Sequence, residues 1–402
     1  MIGNLKMKVL MLTPYLPFPL LTGGQTRSYN LIKRLSSLGH EITLFCLVKN
    51  NDERKYVGEL EKYCKEVQVF NRPEKPWTLT NIIRTGFSFF PFLVVRNWAK
   101  GEKSAIEKKL QLEPFDLIHA ETFYVMPHIP KTSIPILLVE QTIEYLVYRH
   151  FADQFKIPLI KHFLYLDVAK MKFWELKYWK KAQKVVAMSE DDKKTMLKQS
   201  PKLDVDIVPN GVDSKFFGQK ITYRSNKPII LYLGNFTWLQ NKEAVQVLIK
   251  KVWPRIKNRI PECKLWIIGK DAKDFFSALA SNDINVDEVL DVRKIYQEAS
   301  VLVAPIYGGG GTRYKNFEAF ASGLPVVTTS IGIKGTEARD GVEVVIRDNP
   351  EEIAEAAIEL LNNKNIYKKI AANAQKMVSE KYDWDPIAKK LSNIYENLGK
   401  KI

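Results

Sequence analysis

Runs of apolar, β-branched residues of strand length alternate with helical patterns along the whole chain. This alternation is typical of parallel sheets built from βαβ units. The strands predicted for the first half are Val9–Leu12, Ile42–Val48, Val67–Phe70, Asp116–Ala120, Ile134–Glu140, Val185–Met188 and Asp206–Pro209. Those predicted for the second half are Ile229–Leu233, Lys264–Ile268, Val301–Ile306, Pro325–Thr329 and Val342–Ile346. The predicted fold class is α/β, with two doubly wound, Rossmann-like parallel sheets.

Length and composition favour two domains. The chain has 402 residues, 46% of them hydrophobic, which is enough for two α/β domains with a core each. The segment 213–227 is polar, lacks a clear periodicity and is the predicted linker. The predicted domains are 1–215 and 225–383. The segment Trp384–Leu398 is predicted to be an amphipathic helix that docks against a domain.

Cysteine usage and the first residues indicate the compartment. Cys46, Cys64 and Cys263 are odd in number and far apart, so neither disulfides nor structural zinc is expected. Residues 1–8 are polar and lead directly into a predicted strand, without the apolar core of a signal peptide. These features predict a cytoplasmic protein.

A glycine-rich loop stands between a predicted strand and a predicted helix. Gly308–Gly311 follow an apolar, strand-like run, and a helical pattern after them continues to Ser322. Glycines allow a backbone to approach a ligand closely, and the unpaired N–H groups of a helix's first turn attract anions. Arg313 and Lys315 add full positive charges, and Glu318 is placed to accept hydrogen bonds from sugar hydroxyls. The segment therefore predicts a site for the diphosphate of a nucleotide-sugar.

The alternative interpretation of the same segment is a flexible loop with solvated surface cations. It is the weaker one, because a strand and a helix flank the glycines as a phosphate site requires. A Walker A loop is excluded, because neither Gly-Lys-Ser nor Gly-Lys-Thr follows the glycines.

The formal net charge of +16 indicates attraction to membranes, nucleic acid or phosphorylated ligands. Nucleic acid is the weakest of the three, because the chain has no RNP-type motif, Cys/His finger or basic heptad region. The apolar stretch Gly86–Val95 is too short to span a bilayer. Its aromatic residues and flanking cations suit an anionic lipid surface, and core packing explains them almost as well. The aromatic residues of the predicted helix 157–184 are interpreted as a core stripe rather than a membrane contact.

The motifs, taken in their order, resemble those of retaining GT-B glycosyltransferases. They are Gly23-Gly24, the Leu-Gly-His-Glu-Ile run at 38–42, the Pro-Asn-Gly-Val-Asp run at 209–213, and Glu318–Val327. The resemblance extends through nearly the whole chain. The Gly-Gly-Thr-Arg-x-Lys sequence before the glutamate is similar to a subgroup of surface-polysaccharide sugar transferases, which Val292-Arg293 and Gly335 fit as well.

This resemblance implies a GT-B fold, in which two Rossmann-like domains face a cleft. The nucleotide-sugar would lie mainly on the C-terminal domain, with Glu318 at the ribose hydroxyls, and the acceptor would enter against the N-terminal domain. Gly23 and Gly24 would bring backbone to the diphosphate, with an ordinary tight turn as the alternative. The C-terminal helix, residues 384–402, would pack back on the N-terminal domain.

Two departures from the family pattern concern charge. A family glutamate that contacts the donor sugar corresponds to Gly310, and a family Gly-Arg and Lys correspond to the neutral Gly234-Asn235 and Gln240. Arg313 and Lys315 are therefore predicted to neutralise the leaving diphosphate without a metal, as catalytic residues. The predicted donor-binding residues are Gly23, Gly24, Gly234, Gly310, Gly311, Thr312 and Glu318.

The predicted strand that ends near Glu121 finishes in polar residues, where α/β sheets place their chemistry. Relatives often have His-x-His here, so Glu121 is a catalytic candidate to orient the sugar or to accept the acceptor's proton. A structural hydrogen bond is an equally good interpretation. His119 is predicted to be a satisfied core histidine, and Glu140 is a weaker candidate.

The resemblance implies transfer of a sugar from a nucleotide-diphosphate donor to an acceptor hydroxyl, with retention and without a metal or other cofactor. The expected acceptor is a lipid-linked or surface-polysaccharide glycan. The expected location is the cytoplasm, with a peripheral position at an anionic membrane surface. Two alternatives stay open: an epimerase or hydrolase of nucleotide-sugars, and a non-catalytic assembly protein that binds nucleotide or lipid.

Overall fold

The structure of the protein is a computed structural model, described for residues 6–224, 226–289, 291–309 and 311–400. The chain forms two compact units. Unit 1 contains the chain up to Pro209 together with the residues from Ile387 onward, and unit 2 contains Asn210–Pro386. The predicted linker therefore begins inside unit 2, shortly after the chain leaves unit 1.

Unit 1 is built around a parallel sheet. Its strands are β1 (Lys8–Thr13), β2 (Glu41–Val48), β3 (Glu66–Asn71), β4 (Leu117–Glu121), β5 (Ile136–Val139), β6 (Lys184–Ala187) and β7 (Val205–Ile207). Within the described residues these seven strands lie in the order β3-β2-β1-β4-β5-β6-β7. Strand β1 pairs with β2 on one side and with β4 on the other, so the strand order reverses between β1 and β4.

Helices surround this sheet and connect its strands. They are α1 (Gly23–Ser37), α2 (Val57–Leu60), α3 (Leu79–Phe87), α4 (Phe92–Arg96), α5 (Glu102–Leu112), α6 (Glu144–Asp153), α7 (Pro158–Lys181) and α8 (Glu190–Gln199). The central strands are covered on both faces, since every residue from Ile42 to Val48 is buried. Parallel strands of this kind give continuous apolar runs in a sequence, which explains why they could be recognised.

Unit 2 repeats the same architecture. Its strands are β8 (Ile229–Leu233), β9 (Lys264–Ile268), β10 (Ile284–Asp287), β11 (Val301–Ala304), β12 (Val326–Thr328) and β13 (Val345–Ile346). In the described part of the unit they lie in the order β10-β9-β8-β11-β12-β13, with all pairs parallel. The strand order here reverses between β8 and β11.

The helices of this unit follow the same βαβ pattern. They are α9 (Ser214–Phe217), α10 (Leu239–Val247), α11 (Trp253–Arg259), α12 (Ala272–Phe276), α13 (Arg293–Glu298), α14 (Tyr314–Ala321), α15 (Pro350–Asn362) and α16 (Lys364–Met377). The last helix, α17 (Trp384–Gly399), belongs to unit 1 from Ile387 onward. Its buried residues in unit 1 include Leu391, Ile394 and Tyr395.

The predicted α/β class with two doubly wound parallel sheets is confirmed. Strand β10 was not predicted, because its four residues, Ile-Asn-Val-Asp, alternate with polar side chains at the edge of the sheet. The predicted strand 342–346 is reduced to the two residues of β13. Predicted helices 157–184 and 384–398 correspond to α7 and α17.

The core interpretation of α7 is wrong for the first half of that helix. From Val168 onward one side of the helix is buried against the core. This buried stripe ends at Tyr178 and Trp179. Before Val168 its apolar side chains point outward, and Leu159 and Phe163 are 69% and 64% exposed. No helix in the described ranges is both long enough and apolar enough to cross a bilayer.

The apolar stretch Gly86–Val95 also divides into two parts. The residues of α4 from Phe92 to Val95 are buried, as core packing predicts. Phe87 and Phe89, which precede them, are 94% and 87% exposed. Core packing therefore explains the second part of the stretch and not the first.

Doubly wound sheets bind ligands at the carboxyl ends of the strands, at the point where the strand order reverses. In unit 1 this point lies after β1 and β4, where the chain carries Gly23, Gly24 and Glu121. In unit 2 it lies after β8 and β11, where the chain carries Gly234 and the glycine-rich loop.

Candidate active site

The glycine-rich loop of unit 2 leaves β11 and enters α14. Gly309 and Gly311 have φ angles of +83° and +76°, in the left-handed region that favours glycine. The Arg313 guanidinium turns back over the loop, and its Nη2 donates to the carbonyl oxygens of Gly308 at 2.9 Å and Gly309 at 3.0 Å. Gly310 lies outside the described residues. Thr312 is half-buried beside the start of α14, whose first turn carries no acidic side chain.

Lys315 is buried within unit 2, where the sequence alone suggested a charge facing the ligand. Its Nζ donates to Asn241 Oδ1 at 2.9 Å and to Tyr232 Oη at 3.3 Å. The ammonium also lies 4.4 Å from the centre of the Tyr232 ring. Burial, helped by the charge of Arg313 and opposed by that of Glu318, lowers the pKa of Lys315 to about 7. The group is therefore able to gain or lose its charge near neutral pH.

The partners of Lys315 place its charge at the start of α10. Asn241 is the neighbour of Gln240, and its Nδ2 donates to the carbonyl oxygen of Asn235 at 2.7 Å. Gln240 also lies against the glycine-rich loop, since a Cβ on Gly309 would be 3.2 Å from its side chain. Lys315 thus brings a titratable amine to the neighbourhood of the neutral residues Asn235 and Gln240.

Glu318 lies on α14, one turn after Lys315. The hydroxyl of Tyr296, on α13, donates to Glu318 Oε2 at 2.8 Å. Burial raises the pKa of Glu318, while this hydrogen bond and the charge of Lys315 lower it; the net shift is upward. Tyr296 therefore fixes the orientation of the carboxylate that was predicted to bind ribose.

Two further glycines allow the loops of this site to touch. Gly269, after β9, has a φ of +138°, and a Cβ there would lie 1.9 Å from the carbonyl oxygen of Gly234. Gly335 has a φ of +85°, and its Cβ would lie 2.7 Å from Thr312 Oγ1. A side chain at Gly269 would displace the backbone of Gly234, and one at Gly335 would displace the Thr312 side chain.

In unit 1, Gly23 and Gly24 are the first residues of α1. The helix is capped by Thr22, whose Oγ1 accepts from the backbone N–H of Gln25 at 3.3 Å. A Cβ on Gly24 would lie 2.7 Å from Tyr15 Oη and 2.8 Å from Gln141 Oε1. The pair therefore begins a helix rather than a separate tight turn, and Gly24 leaves room for two polar side chains.

Glu121 ends β4 and is fully buried. Its Oε1 lies 3.1 Å from His119 Nε2, and its Oε2 accepts from Gln141 Nε2 at 2.7 Å. Burial would raise the pKa of Glu121, but the hydrogen bond from His119, the charges of His119 and Arg27, and the Gln141 hydrogen bond bring it below its usual value. The carboxylate is therefore an ionised, buried partner with both oxygens engaged.

These contacts form a hydrogen-bonded chain across unit 1. His119 Nδ1 continues it to the hydroxyl of Tyr395, on α17, at 2.5 Å. Gln141 continues it in the other direction, because its Nε2 donates to Tyr15 Oη at 2.6 Å. His119 is a satisfied core histidine, as predicted. A direct contact of Glu121 with a sugar or an acceptor stays a prediction.

Glu140, the weaker candidate, is a structural carboxylate. Its Oε1 accepts from Trp179 Nε1 at 2.9 Å, and its Oε2 accepts from the backbone N–H of Phe123 at 3.3 Å. Burial, followed by the nearby charge of Glu175, raises its pKa well above the usual value. Glu140 therefore ties α7 to the sheet.

Some residues of the candidate site could not be identified from the sequence. Tyr15, Gln141 and Tyr395 in unit 1, and Tyr232 and Tyr296 in unit 2, reach the site from distant positions in the chain. Gly269 could have been identified, because it directly follows a predicted strand, as Gly234 does. Within the described residues, no group of three or more His, Cys, Asp or Glu side chains is placed to hold a metal ion.

Two family models together match most of the chain. Residues 21–216 match the model of the Glycosyltransferase Family 4 domain, and residues 227–363 match that of Glycosyl transferases group 1. An uncharacterized 44.6 kDa protein in the cps region of Klebsiella pneumoniae is 24% identical over 94% of this chain and 96% of its own length.

Solved structures share the fold at low identity. Anabaena Alr3699/HepE in complex with UDP has a TM-score of 0.66 and 14% identity, covering 97% of this chain and 100% of that one. WaaG, a glycosyltransferase involved in lipopolysaccharide biosynthesis, has a TM-score of 0.61 and 16% identity, covering 96% of this chain and 99% of that one. The chain is therefore a glycosyltransferase of the GT-B fold, with a Glycosyltransferase Family 4 domain followed by a Glycosyl transferases group 1 domain.

Proposed function

We propose that this glycosyltransferase transfers a sugar from a nucleotide-diphosphate sugar to an acceptor hydroxyl, with retention at the anomeric carbon and without a metal. The observation that carries the proposal is the arrangement of Arg313, Lys315 and Glu318 around the glycine-rich loop, where the strand order of unit 2 reverses. It combines close backbone approach, positive charge and an oriented carboxylate in one place.

The diphosphate is assigned to the loop and the start of α14. Backbone N–H groups at a helix start attract anions, and Gly311 and Thr312 leave that start open to a ligand. Arg313 folds over the loop, and its guanidinium is proposed to contact an oxyanion bound there. Lys315, whose Nζ donates to Asn241, supplies a second positive charge when it is protonated.

The ribose is assigned to Glu318. A carboxylate that accepts two hydrogen bonds from vicinal hydroxyls requires a fixed plane, and Tyr296 provides it. The UDP bound in the Anabaena structure supports a nucleoside diphosphate as the leaving group and makes uridine the first base to test.

In the proposed reaction, the acceptor oxygen forms a bond to the anomeric carbon as the bond from that carbon to the β-phosphate oxygen breaks. The acceptor's proton passes to the departing phosphate on the same face of the sugar, which gives retention. The nucleoside diphosphate leaves with the bonding electrons, and Arg313 and Lys315 stabilise its charge. No protein nucleophile is needed for this sequence of steps.

Unit 1 is proposed to bind the acceptor. Gly23 and Gly24, the first residues of α1, keep their predicted role as backbone contacts of the donor's diphosphate, and Glu121 is held by His119 and Gln141. The Klebsiella relative in a cps region and the lipopolysaccharide role of WaaG support a surface-polysaccharide or lipid-linked glycan as the acceptor.

The test of this function is thermal stabilisation by UDP-, GDP- and ADP-sugars in the presence of EDTA, since a ligand that binds the folded state raises its melting temperature. We expect one class of donor to stabilise the protein and Arg313→Ala to lose the shift. Arg255→Ala is the matched control, because Arg255 pairs with Glu351 on the surface of the same unit. A shift that survives in Arg313→Ala, or that requires a metal, would contradict the proposed site.

Turnover then separates transfer from the alternatives. With the stabilising donor and a polysaccharide-derived acceptor, we expect release of the nucleoside diphosphate only when the acceptor is present. Release or epimerisation without acceptor would instead identify a hydrolase or an epimerase. Donor stabilisation without turnover under any acceptor would favour the non-catalytic alternative.

A further inference from the structure

Large apolar side chains that the fold leaves exposed are concentrated in two segments of unit 1. One is segment A, residues 77–89, which contains α3; the other is segment B, residues 157–166, which contains the first half of α7. Their exposed apolar residues are Trp77, Leu79, Ile82, Ile83, Phe87 and Phe89 in segment A, and Ile157, Leu159, Ile160, Phe163 and Leu166 in segment B. Large exposed apolar side chains concentrated in this way indicate a binding surface rather than random surface composition.

Segment A is attached to the part of α7 that directly follows segment B. Lys170 Nζ donates to the carbonyl oxygens of Thr85 at 2.7 Å and Ser88 at 2.8 Å. Trp174 Nε1 donates to the carbonyl oxygen of Phe89 at 2.7 Å. These bonds fix the backbone around Phe87 and Phe89, so the outward position of the two rings is built into the fold.

The helical spacing in segment B confirms that its apolar side chains form a stripe. Leu159, Phe163 and Leu166 are spaced at i, i+4 and i+7, which places them on one side of α7. Further along the helix the core stripe begins at Val168. Segment B therefore has an apolar side that no described residue of unit 1 covers.

Basic side chains outnumber acidic ones around both segments, although the exposed Asp153 accepts a hydrogen bond from Tyr165 in segment B. From Lys75 to Gly101 the chain has four basic residues and no Asp or Glu. From Gln154 to Trp174 it has four lysines and a single acidic residue, Asp167. Asp167 is turned inward, where its Oδ1 accepts from the backbone N–H of Phe92 at 2.9 Å. Exposed cations such as Arg84 and Lys156 therefore accompany the exposed apolar residues of both segments.

We propose that segments A and B together dock on the surface of an anionic lipid bilayer, with their aromatic and aliphatic side chains inserted below the headgroups. Apolar side chains edged with Lys and Arg are complementary to such a surface. A second copy of the chain is less suited, because a two-fold contact would bring the same cations of both copies together. The proposal does not depend on the donor chemistry of unit 2.

The experiment is sedimentation of the full chain with vesicles of phosphatidylcholine alone and of phosphatidylcholine mixed with phosphatidylglycerol. We expect binding to the mixed vesicles that weakens as salt is added. The double variant Phe87→Ser/Phe163→Ser should bind the mixed vesicles roughly one hundredfold less tightly, because two buried rings are lost. The matched control is Leu112→Ser, on α5 of the same unit, where the exposed leucine is outside both segments.

A second pair of variants tests the charges. Arg84→Glu/Lys156→Glu should lose binding to the mixed vesicles, whereas Lys368→Glu, an exposed lysine of unit 2, should not. All of these positions are exposed, so the variants should fold, and their unchanged melting temperature verifies it.

Three results would overturn the proposal. The first is equal binding of wild type and Phe87→Ser/Phe163→Ser to the mixed vesicles, or no binding by either. The second is equal binding to neutral and anionic vesicles. The third is a wild-type dimer in light scattering that the same double variant abolishes, which would identify the segments as a contact between copies. Donor stabilisation is measured without vesicles, so a failure here is distinguishable from a failure of the proposed function.

Discussion

Among single side chains, the buried ammonium of Lys315 has the largest consequences for unit 2. A cation without a full counter-charge is costly to bury, and Asn241 and Tyr232 offer it only neutral partners. This unfavourable burial occurs at the place where an anionic ligand is proposed to bind. Stability and ligand binding therefore make opposite demands on this position.

We expect Lys315→Met to stabilise the unliganded protein by about 1–3 kcal/mol, because it removes a buried charge and keeps the volume. The same variant should lower donor affinity by about a hundredfold, through the loss of a charge at the diphosphate. Chemical denaturation and donor-induced melting shifts measure the two effects, with Lys368→Met as an exposed control. Wild-type affinity in Lys315→Met would remove the residue from the donor site.

The pKa of about 7 at Lys315 also predicts how pH acts. An anionic donor favours the charged form and raises this pKa, so binding should take up a proton above pH 7, and affinity should fall as the pH rises. The stability of the unliganded protein should change with pH in the opposite direction. Above pH 7 the folded state binds fewer protons than the unfolded state, so the free energy of unfolding should increase as the pH rises toward the ordinary lysine pKa. Calorimetry of donor binding in two buffers of different ionisation enthalpy measures this proton uptake. The Lys315→Met variant should abolish the uptake.

Glu121 is expected to matter through its partners. Glu121→Gln would leave His119 without its anionic neighbour in a buried site, and the free energy of unfolding should fall by about 1–3 kcal/mol. Donor-induced melting shifts should be unchanged, and Glu107→Gln, an exposed carboxylate of the same unit, should change neither quantity. Loss of turnover at unchanged stability would instead support the predicted direct role of Glu121.

Among the loops, the contact between Gly269 and Gly234 is the most restrictive. Gly269→Ala places a methyl group where a backbone oxygen lies, in a conformation that alanine rarely adopts. We expect a loss of about 3 kcal/mol or more in stability, together with the donor-induced shift. Gly341→Ala separates the two causes, because Gly341 also has a positive φ, +70°, but nothing lies within 4 Å of its Cβ. A similar loss in both variants would show that backbone strain alone is responsible.

The elements that the sequence predicted best are those whose side chains repeat one environment. Strands buried on both faces, such as β2, appear as unbroken apolar runs, whereas the edge strand β10 does not. The helix α7 shows the limit of such patterns. Both halves have apolar side chains at helical spacing, yet only the second half packs against a core, because spacing carries no information about what lies opposite.

The candidate site was also predictable only in part. Glycines, Arg313 and Glu318 lie within one segment, so their order in the sequence already suggests a shared ligand. The burial of the Lys315 side chain was not predictable, because its partners Tyr232 and Asn241 are far away in the chain. They become neighbours of Lys315 only when the sheet forms. Neutral tyrosines and glutamines also carry no pattern that distinguishes a site from any surface.

For the chain as a whole, the residues from Ile387 onward complete unit 1. Leu391, Ile394 and Tyr395 are buried there, and Ser392 and Tyr395 bond to His40 and His119. Each buried apolar side chain contributes about 1.5–3 kcal/mol, and a domain has about 5–15 kcal/mol in total. A chain that ends at Pro386 should therefore lose the cooperative unfolding of unit 1, while unit 2 keeps its donor-induced shift.

Limited proteolysis with mass spectrometry measures this outcome, since cleavage sites should appear throughout unit 1 and not in unit 2. A chain that ends at Lys400 is the control, because it keeps all of the buried residues of α17. Equal protection of unit 1 in both shortened chains would show that α17 contributes little to its stability.

The return of α17 to unit 1 also has a consequence for synthesis on the ribosome. Domains usually fold in the order in which they emerge, the N-terminal one first. Here the unit that is translated first is completed after unit 2, because it lacks a buried helix until the residues from Ile387 onward have been translated. Unit 2 has all of its residues earlier and can fold while unit 1 still exposes the groove that α17 fills. We therefore expect the nascent unit 1 to need protection, by a chaperone or by the ribosome surface, until α17 has emerged.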